Sequence, residues 1–232
     1  MKELAYRQLP KGKQRGVLCS LKAMSSLGRW LMLLWISLIS YGCGYHRHFQ
    51  EPDYTLLKQD GDIAIRDYAP ALVAEVVVDG NREEAAYQAF SILVDYIQGA
   101  NQKQQAISMT TPVIQQPSVH IQRQQRENER DNAWRIGFYL PATFSAEDSP
   151  TPDDQRIVLR RIPKTRFASI RFSGRHSDNN FYQHASMLRR YLLKQTIPFD
   201  EPPIFAYYDS PFTPWFLRRN EVLYSLPPSS FP

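Results

Sequence analysis

Two hydrophobic rhythms alternate along the chain after residue 53. Asp62 to Tyr68 (DIAIRDY) alternates apolar and polar positions, as a half-buried strand does. Ala69-Pro70 interrupts it, and Ala71 to Asp79 follows as a β-branched run closed by Gly80-Asn81. From Glu83 to Gln98 the rhythm becomes helical. Ala86, Phe90, Leu93 and Ile97 fall at i, i+4, i+7 and i+11, which is one helix face. Glu83 and Glu84 suit the first turn and Gly99 the stop. Gln105 to Val113 predicts a third extended segment, ending in a turn at Thr111-Pro112. Gln115 to Asn132 is polar and charged, as expected of a solvated hairpin loop or connector. Trp134 to Leu140 predicts another strand, and the Pro-, Asp- and Ser-rich Ala146 to Asp154 a loop.

The pattern then repeats. The stretch from Ile63 runs without a gap onto the stretch from Ile157, and Ala71 to Gly80 lands on Thr165 to Gly174, glycine on glycine. A second helix is predicted over Asn180 to Leu193. Its face is Phe181, Ala185, Leu188 and Leu192, in register with Ala86, Phe90, Leu93 and Ile97 if one extra residue sits in the intervening loop. Each helix is followed by an extended segment and a proline turn, ISMTTP in one copy and IFAYYDSP in the other. Two strands and a helix cannot close a core alone, so the two β-β-α-β units must merge. The expectation is an α+β domain with pseudo-twofold symmetry. Its sheet is antiparallel or mixed and curved or barrel-like, with two packed helices and a ligand groove along the pseudo-twofold axis.

Charge divides the chain. Of 28 Lys and Arg and 23 Asp and Glu, seven basic residues (Lys2, Arg7, Lys11, Lys13, Arg15, Lys22, Arg29) and one acidic residue, Glu3, precede Trp30. The remainder is close to neutral and lacks the basic excess that a nucleic-acid partner requires. Trp30 to Tyr41 (WLMLLWISLISY) is too short to span a bilayer but suits the apolar core of an export signal. It runs into Ser40-Tyr41-Gly42-Cys43, which resembles a bacterial lipobox, with Cys43 as the lipidated residue. Ser40 and Tyr41 depart from that pattern. An uncleaved membrane anchor is the other reading, and Met24 makes a more ordinary start than Met1. The division expected is a leader or anchor over 1–43, a tether over 44–53, a folded domain over 54–226 and a short tail over 227–232. Cys19 and Cys43 both precede the domain, so no intramolecular disulfide or CxxC metal site is expected within it.

Four segments, in order, resemble the SOUL/heme-binding family. These are Ile65-Arg66-Asp67-Tyr68 with Ala69-Pro70, Phe90 to Asn101 (FSILVDYIQGAN), Ile107 to Val113 (ISMTTPV) and Tyr207 to Val222 (YYDSPFTPWFLRRNEV). The resemblance implies a distorted barrel of repeated β-β-α-β units, an architecture shared with effector-binding domains of bacterial transcription regulators. It also implies a tetrapyrrole ligand. Heme needs an apolar slot, donors for its propionates and, optionally, an axial ligand. Tyr87, Phe90 and Val94 on the first helix, with Met109 and Phe212, are candidates for the slot, and Arg218 for the carboxylates. Burying on the order of 400 Å² of porphyrin contributes about 10 kcal/mol gross at ~25 cal/mol/Å², much of it offset by association and ordering. Two departures weaken iron ligation. Asp67 stands where some animal members carry a proposed axial histidine, and the first helix has no Lys or Arg after Arg82.

The remaining residues point mostly to structure. His46 and His48 belong to the tether, His120 to the polar connector and His176 to a loop. His184 lies beside the apolar face of the second helix, where packing or surface is expected ahead of heme contact. No pair has zinc-motif spacing. Met109 and the Arg218 to Glu221 cluster each have a structural reading as well, as core filler and as a salt-bridge turn. No nucleophile elbow, P-loop or dinucleotide fingerprint is present. The sequence therefore predicts a non-enzymatic, periplasm-facing lipoprotein that binds heme or another hydrophobic small molecule and meets the membrane through its N-terminus. A structural or partner-binding envelope protein with a self-filled groove is the alternative, followed by a groove hydrolase using Glu75 or Glu221.

Overall fold

A computed structural model describes residues 49–118 and 133–228; Cys43, His46, His48 and His120 lie outside them. The described chain forms one nine-stranded sheet and two helices. The strands are β1 (Tyr54–Asp60), β2 (Ile63–Tyr68), β3 (Ala71–Asp79), β4 (Val113–Pro117), β5 (Ala133–Tyr139), β6 (Val158–Ile162), β7 (Thr165–Phe172), β8 (Asp200–Tyr207) and β9 (Asn220–Leu226). Helix α1 spans Arg82–Ile97 and α2 spans Asp178–Lys194. The sheet order is β1-β2-β7-β9-β8-β4-β5-β3-β6, and every neighbouring pair is antiparallel.

Without β1, that order is a palindrome of the two sequence copies, with the pseudo-twofold between β4 and β8. The copies exchange their first strands, so that β2 pairs with β7 of the second copy and β6 with β3 of the first. The registers match as well: Ala71 pairs with Ile162, and their copy-equivalents Thr165 and Tyr68 also pair. Neither copy closes its own sheet edge, which is why the two merge. The expected α+β curved sheet with two helices is present, with a fourth strand in each unit, β5 or β9, beyond the β-β-α-β pattern. The glycine-on-glycine match has a backbone cause. Gly80 and Gly174 turn from strand toward helix with φ of +124° and +121°, in the left-handed region that favours glycine.

Two sequence expectations are corrected. The extended segment over Gln105 to Val113 is not a strand; β4 begins where that segment was expected to end and runs into the stretch read as a polar connector. Asn101 is the reason. Its side chain donates to the Tyr96 and Gln105 carbonyls and accepts from the Gln105 amide, which holds 101–105 as a compact turn after α1. The loop before α2 also holds two extra residues rather than one. The helix caps are Asn81 and Ser177, so Arg175 and His176 are both inserted relative to the first copy. For α2 the predicted face holds, with Phe181, Ala185, Leu188 and Leu192 buried. The face of α1 is rotated. It buries Ala85, Ala89, Leu93 and Tyr96, together with Arg82 and Ile97, and leaves Phe90 45% exposed.

Both helices lie on one face of the sheet over the main core, which includes Ile65, Ala74, Ile136, Phe138, Ile170, Phe205 and Val222. The other face is buried too, because the sheet curls on itself. There Tyr68, Val73, Ile114, Phe167, Ala206, Tyr208 and Leu223 form a second cluster. A Cβ at Gly137 would sit 2.6 Å from Val73 Cγ1, so only glycine allows β3 and β5 to meet at this point.

Candidate functional site

The seam between the two copies is filled. On its helix side the buried Arg82, first residue of α1, acts as a plug. Its guanidinium pairs with Asp178, the first residue of α2, and donates to Tyr207 Oη at 2.5 Å and to the His176 carbonyl at 2.6 Å. Tyr207 Oη donates to Gln115 Oε1 at 2.7 Å, and Gln115 Nε2 to the Arg82 carbonyl at 2.7 Å. Phe181 and Phe205, both fully buried, lie beside this network with ring centroids 5.1 Å apart and planes tilted by 52°. Burial raises the Tyr207 hydroxyl pKa well above its ordinary value despite the adjacent Arg82. On the opposite face, Ile114, Ala206, Val73 and Leu223 close the seam. The ligand groove expected along the pseudo-twofold axis is therefore occupied by the chain's own side chains.

Open space lies away from the axis. A cleft of about 560 Å³ separates α2 from the loop before β9. His184 and Met187 of α2, Phe172 of β7, and Phe216, Leu217 and Arg218 of the loop line it, with Asp62 and Arg171 also in its wall. The His184 ring stacks flat on Phe172, with centroids 3.9 Å apart and planes 7° apart. His184 Nδ1 lies 2.7 Å from the Asn180 carbonyl, one turn earlier. A carbonyl can only accept, so Nδ1 carries the hydrogen, and in the neutral ring Nε2 holds the lone pair. Aromatic walls, a thioether, an oriented imidazole and a guanidinium thus meet in one place.

A second cleft, of about 480 Å³, lies among residues 50–53, 69–72, 139–147 and 161–163. Leu72, Tyr139, Phe144 and Ile162 line it, with the Arg161–Glu147 ion pair in its wall. It contains no imidazole or thioether, although its lining is the more apolar of the two.

Of the six residues predicted to hold the ligand, five for the slot and Arg218 for the carboxylates, Arg218 alone lines either cleft. Tyr87 is 70% exposed on α1, and Phe90 sets its ring against Phe138 at 5.5 Å. Val94 and Met109 are half-buried and pack on the main core. Phe212 is 95% exposed at the tip of the loop. Arg218 braces that loop, donating to the Thr213 and Pro211 carbonyls at 2.7 and 2.6 Å. Tyr87, Phe90 and Val94 share one side of α1, at i, i+3 and i+7, and line neither cleft. Sequence reasoning set His184 aside. The bond that orients its ring uses a backbone carbonyl that any residue at position 180 would supply, and nothing in the sequence shows that Phe172 becomes its stacking partner.

The carboxylates considered for hydrolysis are paired. Glu75 meets Arg160 at 2.8 Å and Arg135 at 3.4 Å. Glu221, fully buried, meets Arg66 at 2.8 Å and Arg219 at 3.0 Å. Each carboxylate is thus engaged by two guanidiniums. The structural reading of the Arg218–Glu221 cluster holds: Arg219 also pairs with Glu51 and lies over the Tyr208 ring at 3.6 Å. Among the described residues, no group of three His, Cys, Asp or Glu is placed to hold a metal ion.

Comparison with known proteins agrees with this architecture. Residues 49–225 match the SOUL heme-binding protein family. The chain belongs to that family. It is 29% identical to heme-binding protein 1 of Xenopus tropicalis, an alignment covering 68% of this chain and 80% of that one. Against heme-binding protein 2 of Mus musculus it is 27% identical, covering 70% and 81%. Among solved structures, the C-terminal domain of EcmrR shares the fold, with a TM-score of 0.53 at 10% identity, covering 75% of this chain and 98% of that domain. In this SOUL chain, Asp67 of the I-R-x-Y segment is tied to Arg166 across β2 and β7, at 2.5 and 3.0 Å. That hydrogen-bonded pairing, with Lys164 nearby, lowers the Asp67 pKa below the usual carboxylate range.

Proposed function

We propose that this SOUL-family chain binds heme or a related flat tetrapyrrole without transforming it, in the cleft between α2 and the loop before β9. The observation that carries this reading is the His184 imidazole, stacked on Phe172 with Nδ1 committed to a backbone carbonyl, in a cleft also walled by Phe216 and Arg218. Pinning one nitrogen is how proteins orient a histidine toward a metal with the other. His184 would hold the iron, Phe172, Phe216 and Leu217 the ring faces, and Arg171 and Arg218 the propionates. When bound, heme supplies the redox and gas-binding chemistry of its iron; the chain supplies position and burial. The proposal also includes export as a periplasm-facing lipoprotein anchored through Cys43.

Titration of the purified protein with hemin tests the site. The expected result is a Soret shift saturating at one equivalent, displaced in position and weakened in affinity about tenfold in His184→Ala. Featureless, non-saturating absorbance overturns tetrapyrrole binding. A shift unchanged in His184→Ala but lost in Phe90→Ala moves the ligand to the α1 face. The filled seam favours a second reading, in which the domain is a structural or partner-binding envelope module; the same featureless titration supports it.

A further inference from the structure

The loop between β8 and β9 presents apolar side chains to solvent although it is rigidly braced. Phe212 is 95% exposed, Trp215 51%, Phe216 59% and Leu217 66%. The loop is not slack. The Thr213 amide donates to the Ser210 carbonyl at 3.0 Å, and the Leu217 amide to the Pro214 carbonyl at 2.9 Å. Arg218 clasps two further carbonyls of the same loop, and the Gly174 amide fastens it to the neighbouring turn through the Trp215 carbonyl at 2.9 Å. Phe216 and Leu217 turn toward the cleft beside α2, whereas Phe212 and Trp215 line neither cleft. Such a fixed, exposed aromatic pair is not explained by core packing.

The base of the loop also meets the first residues of the described chain. Arg219, directly before β9, pairs with Glu51 at 2.8 Å, and residues 1–48, with eight Lys and Arg side chains and the apolar Trp30 to Tyr41 run, precede Phe49 in the sequence. Exposed Arg171 and Arg175 flank the loop: Arg171 lines the cleft with Phe216, and Arg175 follows Gly174. Asp62 and Asp209 are the acidic neighbours, and Asp209 is engaged with the Arg219 amide at 2.6 Å.

From these features we infer that the Phe212–Trp215 tip is a membrane-contact element that inserts into the headgroup region of an anionic bilayer. Aromatic side chains, tryptophan above all, favour that interface, and arginines beside them meet anionic headgroups. The loop would orient the domain so that the cleft beside α2 opens near the lipid surface. The inference rests on the anchoring reading of the N-terminus, and its test separates the two.

The full-length protein is mixed, without heme, with vesicles of phosphatidylcholine and phosphatidylglycerol carrying bromine on the acyl chains. Co-sedimentation and tryptophan quenching are measured for the native chain, Trp215→Phe and Phe212→Ser. All three should sediment. The native chain should show a quenched component that Trp215→Phe lacks and that Phe212→Ser reduces at least twofold, with Trp30, Trp35 and the buried Trp134 giving a constant background. A chain that stays in the supernatant overturns both the anchor and the loop contact. A chain that sediments with identical quenching in Trp215→Phe overturns the loop contact and leaves the anchor standing. A concentration-dependent blue shift of Trp215 without bromine quenching assigns the tip to a second copy or a protein partner and overturns the lipid assignment.

Discussion

The two helices occupy equivalent places in a doubled fold, yet they solve the packing problem in opposite ways. Counted from their caps, Ala85 of α1 stands where Phe181 stands in α2, and Ala89 where Ala185 stands. Helix α2 drives an aromatic ring into the core. Helix α1 presents methyl groups there, and the space is shared by the buried Arg82 guanidinium and by Phe181 itself, whose ring lies 5.3 Å from the Arg82 guanidinium carbon. A symmetric backbone is thus filled asymmetrically. Arg82 blocks the seam, α1 is left with Tyr87 and Phe90 outside, and the cleft with an imidazole in its wall forms beside α2 alone. The duplication supplied the scaffold; departures from it made the candidate site.

The largest effect should come from removing what α2 alone contributes. Phe181→Ala should lower stability by about 3–5 kcal/mol, as expected when a fully buried aromatic leaves a cavity, read as a drop in the urea midpoint at constant slope. Phe90→Ala, at the position that the sequence pattern made equivalent to Ala185, should cost a small fraction of that, because the ring is half-exposed. Equal losses would break the comparison. Next is the reverse change on α1. Ala89→Leu should cost ~1–3 kcal/mol by overpacking a helix seated close to the sheet. If Ala89→Leu is neutral, α1 is not in close contact and its rotated face needs another cause.

The inserted pair Arg175-His176 sharpens the contrast through pH. Burial, then the nearby Arg218 and Arg82 cations, push the His176 imidazole down to about 4 from an ordinary 6.5. The unfolded chain therefore binds a proton that the folded chain refuses. The His176 contribution to stability is intact above pH 6.5 and is lost as pH falls from 6.5 toward 4. Chemical unfolding across that window should show the native protein losing stability relative to His176→Phe, which keeps a ring against Tyr207 but does not titrate. Parallel curves for the two proteins would place His176 in solvent rather than against Tyr207.

What the sequence revealed follows the same division. The repeat was legible from the matched strand segments and glycines, and the buried face of α2 because Phe181, Leu188 and Leu192 are large and recur at helical spacing. The face of α1 was not. Ala85 and Ala89 carry little hydrophobic signal, whereas Phe90 carries much and lies at the surface, so the apolar pattern and the burial pattern differ by one residue. Strand β1 was invisible because all seven of its residues are exposed. The filled seam was equally hidden, since a buried Arg82 at the start of a helix reads as a solvated charge until Tyr207, more than a hundred residues later, is seen to receive it. His184 was readable as a histidine but not as a cleft residue, because its stacking partner Phe172 comes from a different element.

The smallest expected difference tests the caps that define the equivalence. Asn81 Oδ1 accepts from the amides of both Glu83 and Glu84, at 3.1 and 2.9 Å, whereas Ser177 Oγ accepts from Asn180 alone, at 3.4 Å. Replacing a capping side chain with alanine costs typically ~1 kcal/mol, and two good bonds should place Asn81→Ala near that value. Ser177→Ala should cost about half as much, because the single bond is long and Arg82, through Asp178 and the His176 carbonyl, already holds the start of α2 in place. The double variant Asp178→Asn with Ser177→Ala removes that support. It should then lose more than the sum of its parts, since each group compensates for the other. Simple additivity would mean that the two helix starts are held independently, and that the contact between Arg82 and Asp178 does not couple the copies.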